Sequence, residues 1–281
     1  MAFFTAERCQ ALERLFAKSP GRRILNCGSG SGYWMRALAA RGYKMVGLDI
    51  SPAAHQLAQM NARRFGLPGA FVLGGVHRLP FRDGTFDGVI SFGLLEHFAS
   101  VEPVIAEMAR VLRPGGVFVA DVITRRWSVH SLEKGINFLH HVAGRTLRLR
   151  WRRLPECVRL LREGFYENSL SWRVYTAAME RAGLMGCRVF GVRAFPLLQL
   201  PGALGRGYAR LVRRSQRWWR QFDSSGSALS LAWGAIWAFT GMKGDPAGRG
   251  AGAMAATCAA AASTGAEPDV RETAAPGRRT C

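Results

Sequence analysis

Three glycines and one aspartate have the residue types and spacing to hold a nucleoside-containing ligand. Gly28, Gly30 and Gly32 alternate in a loop that follows a short apolar run, and Asp49 ends the next apolar run. Glycines let the backbone approach a ligand closely, and a helix that starts after such a loop offers N–H groups to an anion. An acid at the end of the second strand can accept hydrogen bonds from a ribose diol.

The glycine spacing distinguishes between two kinds of nucleoside cofactor. In a dinucleotide fingerprint the third glycine lies three positions after the second, where this chain has Tyr33. The third glycine comes one residue earlier in this chain. That spacing favours S-adenosylmethionine, which has a compact carboxylate, over a cofactor that carries a pyrophosphate. A structural alternative is that Asp49 caps a helix, because Ser51 and Pro52 follow it. Ribose binding is favoured over capping because loop and acid occur together.

Further apolar runs continue the alternation of strands and helices. The sequence predicts strands at 70–73, 88–91 and 117–122 and helices at 33–40 and 101–112. This alternation predicts a parallel sheet with helices on both faces, in which ligands bind at the carboxyl ends of the strands. The glycine loop, Asp49, Gly75–Val76 and Ser91–Leu94 all fall at such ends.

In this order the motifs resemble the class I S-adenosylmethionine-dependent methyltransferases, in particular their small-molecule branch. The resemblance is close over residues 22–124 and loose over 174–243, where 187–195 and 232–242 are expected to form the closing hairpin. It implies an α/β fold: a Rossmann-like, doubly wound seven-stranded sheet, mostly parallel with an antiparallel closing strand, plus a helical cap insertion. It also implies S-adenosyl-L-methionine as the cofactor.

The resemblance assigns cofactor-binding roles residue by residue. The cofactor-binding set is Asn26, Gly28, Ser29, Gly30, Gly32, Asp49, Ile50, Gly75, Val76, Ser91 and Phe92. The glycines are expected to turn backbone N–H groups toward the methionine moiety, and Asp49 to bind the ribose. Two positions depart from the family, which commonly has acids where this chain has Asn26 and Gly75. These departures predict weaker cofactor binding or a loss of activity.

The sequence contains one candidate general base, and it also limits the class of molecule that could accept the methyl group. His97 follows the fourth strand, although a structural role near a helix start or in the core is the alternative. His130, His140, His141 and Tyr166 are weaker candidates. Ser91–Leu94 is not the Asn/Asp-Pro-Pro-aromatic loop of adenine and glutamine amino methyltransferases. A small-molecule or lipid-like acceptor is therefore favoured, and no metal site is expected.

Composition divides the whole chain into three parts. We expect an N-terminal helix in 1–20, the methyltransferase domain in 21–243 and a disordered tail in 244–281. Within the domain, 125–173 is a cap insertion by position, and 203–222 is a basic amphipathic helix. That helix could lie on an anionic membrane surface or dock its apolar stripe on the core, and docking is favoured.

The net charge and the cysteines limit which partners and which cellular compartment are expected. The net charge of +20 in 281 residues predicts attraction to an acidic partner, and equally fits simple solubility. The six cysteines form no CxxC pair, and neither a signal peptide nor a membrane span is evident, so a cytoplasmic protein is expected. The alternatives are a degenerate methyltransferase-fold binding protein and an RNA methyltransferase, although nucleic acid is disfavoured as a partner. The oligomeric state is left open.

Overall fold

The structure is a computed structural model that describes most of the chain. The described residues are 2–66, 69–123, 128–146, 168–193 and 202–245, together with 195, 196, 198 and 200. Tyr166, the central part of the predicted cap and the predicted tail from residue 246 onward lie outside these ranges. The side chains of His130, His140 and His141 lie outside them as well.

Strands of the described part form one seven-stranded sheet in the order β3-β2-β1-β4-β5-β7-β6. The strands are β1 (Arg23–Cys27), β2 (Lys44–Asp49), β3 (Ala70–Leu73), β4 (Phe86–Phe92), β5 (Leu112–Ile123), β6 (Leu184–Val192) and β7 (Ile236–Lys243). β7 runs antiparallel to both of its neighbours, and the pairs among β1 to β5 are parallel. The predicted fold class, mostly parallel with one antiparallel closing strand, is confirmed.

Helices cover both faces of this sheet. They are α1 (Ala2–Phe16), α2 (Tyr33–Ala39), α3 (Pro52–Phe65), α4 (Glu102–Val111), α5 (Val129–Thr146), α6 (Trp172–Arg181), α7 (Gly202–Arg214), α8 (Gln216–Ser224) and α9 (Ala228–Trp233). Successive strand residues point to opposite faces. Ile24 accordingly joins a core with α1 and α2, whereas Leu25 joins a second core with α4 and α6. The sheet is therefore doubly wound. Its carboxyl edge, the edge at which the parallel strands β1 to β5 end, is available for a site.

Local signals set several element boundaries. Ser51 caps α3, since its Oγ accepts a hydrogen bond from the Ala54 N–H at 3.3 Å, and Pro52 follows in the first turn. Gly66, at φ +60°, ends the same helix. Between the predicted helix at 101–112 and the predicted strand at 117–122 the chain forms a bulge inside β5, where the register on β4 shifts and Gly115 adopts φ +75°.

Two expectations about the carboxyl-terminal half need correction. Trp233 was expected in the last strand, but it ends α9 and is 40% exposed, whereas Trp237 lies buried in β7. The segment 203–222 was expected to dock its apolar stripe on the core. It forms two helices that meet at Ser215, and α7 contains no buried residue in the described chain. An amphipathic pattern gives the apolar face of a helix but does not say what covers it.

Candidate active site

The glycine loop after β1 depends on backbone conformations that only glycine adopts readily. Gly28, Gly30 and Gly32 have φ values of +70°, +51° and +75°. A Cβ on Gly28 would lie 3.2 Å from the Leu94 side chain, and one on Gly32 would lie 3.3 Å from Ala58. A Cβ on Gly30 would meet no described atom within 4 Å. The outer glycines therefore allow close packing, and Gly30 faces open space.

Hydrogen bonds hold this loop against β2. The N–H groups of Gly28 and Ser29 both donate to the Leu48 carbonyl, at 2.8 and 3.0 Å. Asp49 Oδ2 accepts from the Gly30 N–H at 2.8 Å, and its Oδ1 accepts from the Ser51 N–H at 2.9 Å. The sequence had led us to expect these N–H groups to point at a ligand. Instead, the N–H groups of Gly28 and Gly30 hold the loop in place.

Asp49 joins the loop to the end of β2 without capping α3. Since Ser51 is the N-cap of that helix, the capping alternative for Asp49 is wrong. Each carboxylate oxygen has lone-pair capacity beyond the one backbone bond that it accepts. The half-buried Asp49 is therefore oriented by the backbone and retains acceptor capacity for hydroxyl groups.

Two orphaned polar groups lie at the ends of β1 and β4. Asn26 is 1% exposed and Ser91 is fully buried, and the two strands are paired side by side. Neither Asn26 Nδ2 nor Ser91 Oγ has a hydrogen-bond partner among the described residues. Buried polar groups are nearly always satisfied, so these two atoms fit a site whose polar ligand supplies the missing partners.

An exposed apolar side chain and open space lie beyond β2 and β3. Ile50, directly after Asp49, is 76% exposed, whereas Val76 is buried. A Cβ on Gly75 would lie 3.8 Å from Ile50 Cδ1, with nothing described any closer. The open face of Ile50 beside a missing side chain suits a flat ring. Gly75 provides no carboxylate to receive an amino group from that ring.

Ser29 and Phe92 are both engaged with neighbouring groups. The Ser29 side chain packs over β2, where Gly47 leaves room for it, with Ser29 Cβ 3.0 Å from the Cβ position that Gly47 lacks. The Phe92 ring lies 4.9 Å from Trp34, and the Arg8 guanidinium lies 4.8 Å from the Phe92 centroid. Arg8 comes from α1, so the N-terminal helix contributes directly to the carboxyl edge.

Asp121 is a site-forming residue that sequence reasoning missed. It is 4% exposed in β5, pairs with Arg8 and accepts a hydrogen bond from the Gly93 N–H at 2.7 Å. The carboxylate therefore fixes the turn after β4 and anchors α1 at the same time. An acid inside an apolar strand was the signal that could have revealed it, because an unpaired charge is rarely buried.

Glu96 is the second residue that sequence reasoning missed. It lies in a short 3₁₀ helix (Leu95–His97) and is 1% exposed, whereas the predicted base His97 is exposed. Glu96 Oε1 accepts from the Ile123 N–H at 3.3 Å, and Oε2 has no partner among the described residues. Burial, with a smaller contribution from the nearby Asp121, raises the pKa of Glu96 to about 7. A carboxyl group with such a pKa can hold or release a proton near neutral pH.

A buried hydrogen-bond network positions this 3₁₀ helix. The Asn168 side-chain amide donates to the carbonyls of Leu95 and Phe98, at 3.1 and 2.7 Å. The Asn168 backbone N–H donates to the Glu96 carbonyl, and the Tyr175 hydroxyl donates to Asn168 Oδ1 at 2.7 Å. Asn168 therefore links the turn after β4 to α6.

Comparisons with known proteins identify the class of this domain. Residues 25–120 match the family model described as a methyltransferase domain. Over 126 residues the chain is 42% identical to a demethylmenaquinone methyltransferase of Beutenbergia cavernae, which covers 43% of this chain and 49% of that protein. Over 129 residues it is 35% identical to a 24-methylenesterol C-methyltransferase 2 of Oryza sativa subsp. japonica, covering 45% of this chain and 34% of that protein.

A solved structure shares the fold over a longer span. The crystal structure of the [4+2]-cyclase SpnF superposes with a TM-score of 0.52 at 15% identity, over 85% of this chain and 80% of that one. This likeness concerns the fold alone. The chain spans half or less of the length of the two curated relatives. Residues 25–120 are nonetheless a domain of the class I S-adenosylmethionine-dependent methyltransferase family.

The residues of the site fit the methyl donor that this family uses, S-adenosylmethionine. Asp49 is an oriented acceptor for hydroxyl groups, and Ile50 offers an apolar face. Asn26 Nδ2 and Ser91 Oγ are buried polar atoms that need partners. Within the described ranges, no helix is long and apolar enough to cross a membrane.

Proposed function

We propose that the protein is an S-adenosylmethionine-dependent methyltransferase that acts on a small, lipid-like acceptor. The observation that carries the proposal is the hydrogen bond that the Gly30 N–H donates to Asp49. It connects a loop of three glycines in the left-handed backbone conformation to an oriented carboxylate. This joint creates a preorganised cradle for an amino-acid-bearing nucleoside at the carboxyl edge of the sheet. The contribution of each site residue is part of this proposal.

The cofactor, when bound, supplies a methyl group that is already activated on a sulfonium sulfur. The protein therefore has to orient the acceptor and exclude water more than it has to activate the donor. Ser91 and the turn at Gly93 lie beside the cradle, and that turn is fixed by Asp121. An acceptor proton would pass to His97, the predicted general base, or to the buried Glu96.

The acceptor class is supported by two independent features. The matched relatives carry names that refer to a menaquinone precursor and to a sterol, both of which are apolar molecules. In the predicted cap, α5 presents two exposed leucines seven residues apart, Leu132 and Leu139, which are 42% and 66% exposed. An apolar acceptor is the class of small molecule that such a surface favours.

Calorimetric titration of the full chain with S-adenosylmethionine tests the proposal. We expect saturable binding that Asp49→Ala weakens by at least about tenfold, since a charged hydrogen-bond acceptor contributes about 1.5–3 kcal/mol. Asp83→Ala is the matched control, because Asp83 is an exposed acid that precedes the amino end of β4. It should bind as the unmodified protein does. A lack of binding at millimolar cofactor would refute the proposal.

A non-enzymatic binding protein is the second candidate, and Gly75 and Asn26 favour it. Gly75 beside Ile50 provides no side-chain acceptor, and Asn26 near the end of β1 carries no charge. Incubation of lipid extracts with isotopically labelled methyl donor separates the two functions. Cofactor binding without any labelled product in lipid, small-molecule or RNA fractions would favour the binding protein. Labelled product confined to the RNA fraction would mean that the acceptor is RNA and not the lipid-like molecule proposed here.

A further inference from the structure

One surface of the molecule is both apolar and strongly basic, and the candidate active site does not use it. We define the basic helical surface as the exposed side of α7 and α8. Its apolar residues are Leu204, Leu211 and Trp218, which are 68%, 62% and 57% exposed. Its exposed cations are Arg206, Arg210, Arg213, Arg214 and Arg217. No acidic residue occurs between positions 202 and 222.

Specific contacts hold the two helices on the protein while this side stays open. The Tyr208 hydroxyl donates to the Pro196 carbonyl, and the Trp219 ring lies 5.6 Å from Phe195. Asp223, after the basic run, accepts from the Arg193 N–H at 3.0 Å. Tyr208 and Trp219 therefore occupy the protein side of the amphipathic pattern. The apolar line of Leu204, Leu211 and Trp218 is left without cover in the described structure.

The chain topology places this insertion at the carboxyl edge of the sheet. β6 ends at Val192, which pairs with Ile236 at the start of β7. Ile236 also pairs with Ile123, the last residue of β5. The chain therefore leaves the sheet toward α7 and returns from α9 at the edge where the glycine loop and Asp49 lie. A partner bound on the basic helical surface would be presented on the same side of the sheet as the site.

The helix α5 extends the exposed apolar character on this side. Arg193, which precedes α7, forms an ion pair with Glu133 of α5 at 3.4 Å. Burial, with a smaller contribution from Glu133, raises the pKa of Tyr208 on α7. The exposed Leu132 and Leu139 belong to this helix. Exposed leucines thus occur on α5 as well as on α7.

We propose that the basic helical surface docks on an anionic lipid membrane, with its leucines and tryptophan at the acyl boundary and its arginines on the phosphates. A basic helix with a separate apolar face is the pattern that lies in a membrane interface. Arginines beside an apolar line match lipid phosphates above acyl chains. Nucleic acid would use the arginines, but it would leave both leucines in water. The charge complementarity and the apolar line together therefore favour lipid.

Flotation with vesicles tests this docking on the full chain. We expect the protein to float with phosphatidylcholine–phosphatidylglycerol vesicles and to remain unbound with phosphatidylcholine alone. The apolar variant Leu204→Ser/Leu211→Ser/Trp218→Ser should lower partitioning by about tenfold or more. The charge variant Arg210→Gln/Arg214→Gln should lower it by about fivefold per arginine at low salt. Met60→Ser on α3 removes an apolar side chain that is 65% exposed, and it should leave binding unchanged.

Four results would overturn the proposal. Equal flotation with neutral and anionic vesicles would remove the role of charge, and undiminished flotation of the apolar variant would remove the role of the leucines. Dimers that the apolar variant dissociates in sedimentation equilibrium, or RNA retention that only the charge variant loses, would assign the surface to another partner. The vesicle assay contains no S-adenosylmethionine. Its outcome is therefore separate from that of the proposed methyl transfer, and chemical denaturation of each variant reports on folding.

Discussion

At the scale of single residues, the site combines a well-formed loop with two unusual positions. Asp49 is oriented by two backbone N–H groups, and three glycines take left-handed conformations that side chains would strain. Asn26 and Gly75 are the positions where the resemblance implied acids, and the structure shows what surrounds each of them. Asn26 leaves a buried donor without a partner in the described chain, and Gly75 leaves open space beside Ile50.

The open space at Gly75 permits a gain-of-affinity test. Gly75 does not have a positive φ, and a Cβ there would have 3.8 Å of clearance, so a side chain can be added without strain. We expect Gly75→Asp to tighten S-adenosylmethionine binding by about tenfold in calorimetry, because one charged hydrogen bond contributes about 1.5 kcal/mol or more. Gly75→Leu has a similar shape without the acceptor and should not tighten binding. Equal affinities for both variants would show that the adenine ring lies elsewhere.

The buried Glu96 predicts a pH-dependent difference in stability. Its pKa is raised from the usual 4.5 to about 7 in the folded protein, so folding favours the protonated carboxyl. The stability that Glu96 contributes is complete below pH 4.5 and is lost as the pH rises through about 7. Relative to Glu96→Gln, the wild-type protein should lose up to about 3 kcal/mol across that range.

Urea unfolding of both proteins from acidic to mildly alkaline pH measures this difference. The Glu102→Gln variant is the control, since Glu102 is exposed and its pKa is lowered by local hydrogen bonds to the helix start and Ser100. Because this variant retains Glu96, its stability should fall with rising pH as that of the wild-type protein does. Parallel pH profiles for wild type and Glu96→Gln would mean that Glu96 is hydrated and titrates normally.

At the scale of elements, the turn after β4 is held by long-range hydrogen bonds and not by its own sequence. The 3₁₀ helix has no side-chain cap, and Asn168 supplies donors to the carbonyls of Leu95 and Phe98 from a position about seventy residues further along the chain. Short helical turns of this kind are weak by themselves. The packing of α6 therefore determines where Glu96 and His97 lie.

Removal of the Asn168 amide should be costly to stability. In Asn168→Ala, the carbonyls of Leu95 and Phe98 and the Tyr175 hydroxyl each lose a partner, so the free energy of unfolding should fall by about 2–4 kcal/mol. Tyr175→Phe removes only the hydroxyl and should cost about 1 kcal/mol. Chemical denaturation of the two variants measures both values. If the two losses were equal, the carbonyls would be satisfied by water and the link to α6 would be unimportant.

At the scale of the whole molecule, the doubly wound sheet collects distant segments at one edge. The ends of β1, β2, β4 and β5 carry the candidate site, and α1 reaches that edge through the pair of Arg8 with Asp121. The insertion between β6 and β7 starts and ends at the same edge. The net charge of +20 is thus accompanied by a local concentration of arginines on α7 and α8.

The sequence by itself predicted the order of the strands and helices from Arg23 to Ile123, and the motifs in that order gave the resemblance to the methyltransferase family and its fold class. These follow from signals between near neighbours: apolar periodicity, glycines at alternate positions and an acid at the end of a strand. Such signals depend on the backbone and on residues close in the chain. The strands from Arg23 to Ile123 could be predicted for this reason.

Only the tertiary structure decided what each side chain meets. Ser51 and not Asp49 caps α3, Glu96 is buried while His97 is exposed, and the apolar line on α7 is open. Each of these outcomes depends on groups far away in the chain, such as Ile123 beside Glu96. A pattern along the chain specifies which face of an element is apolar, and the packing of distant elements decides whether that face is covered, because burial is a property of the assembled fold.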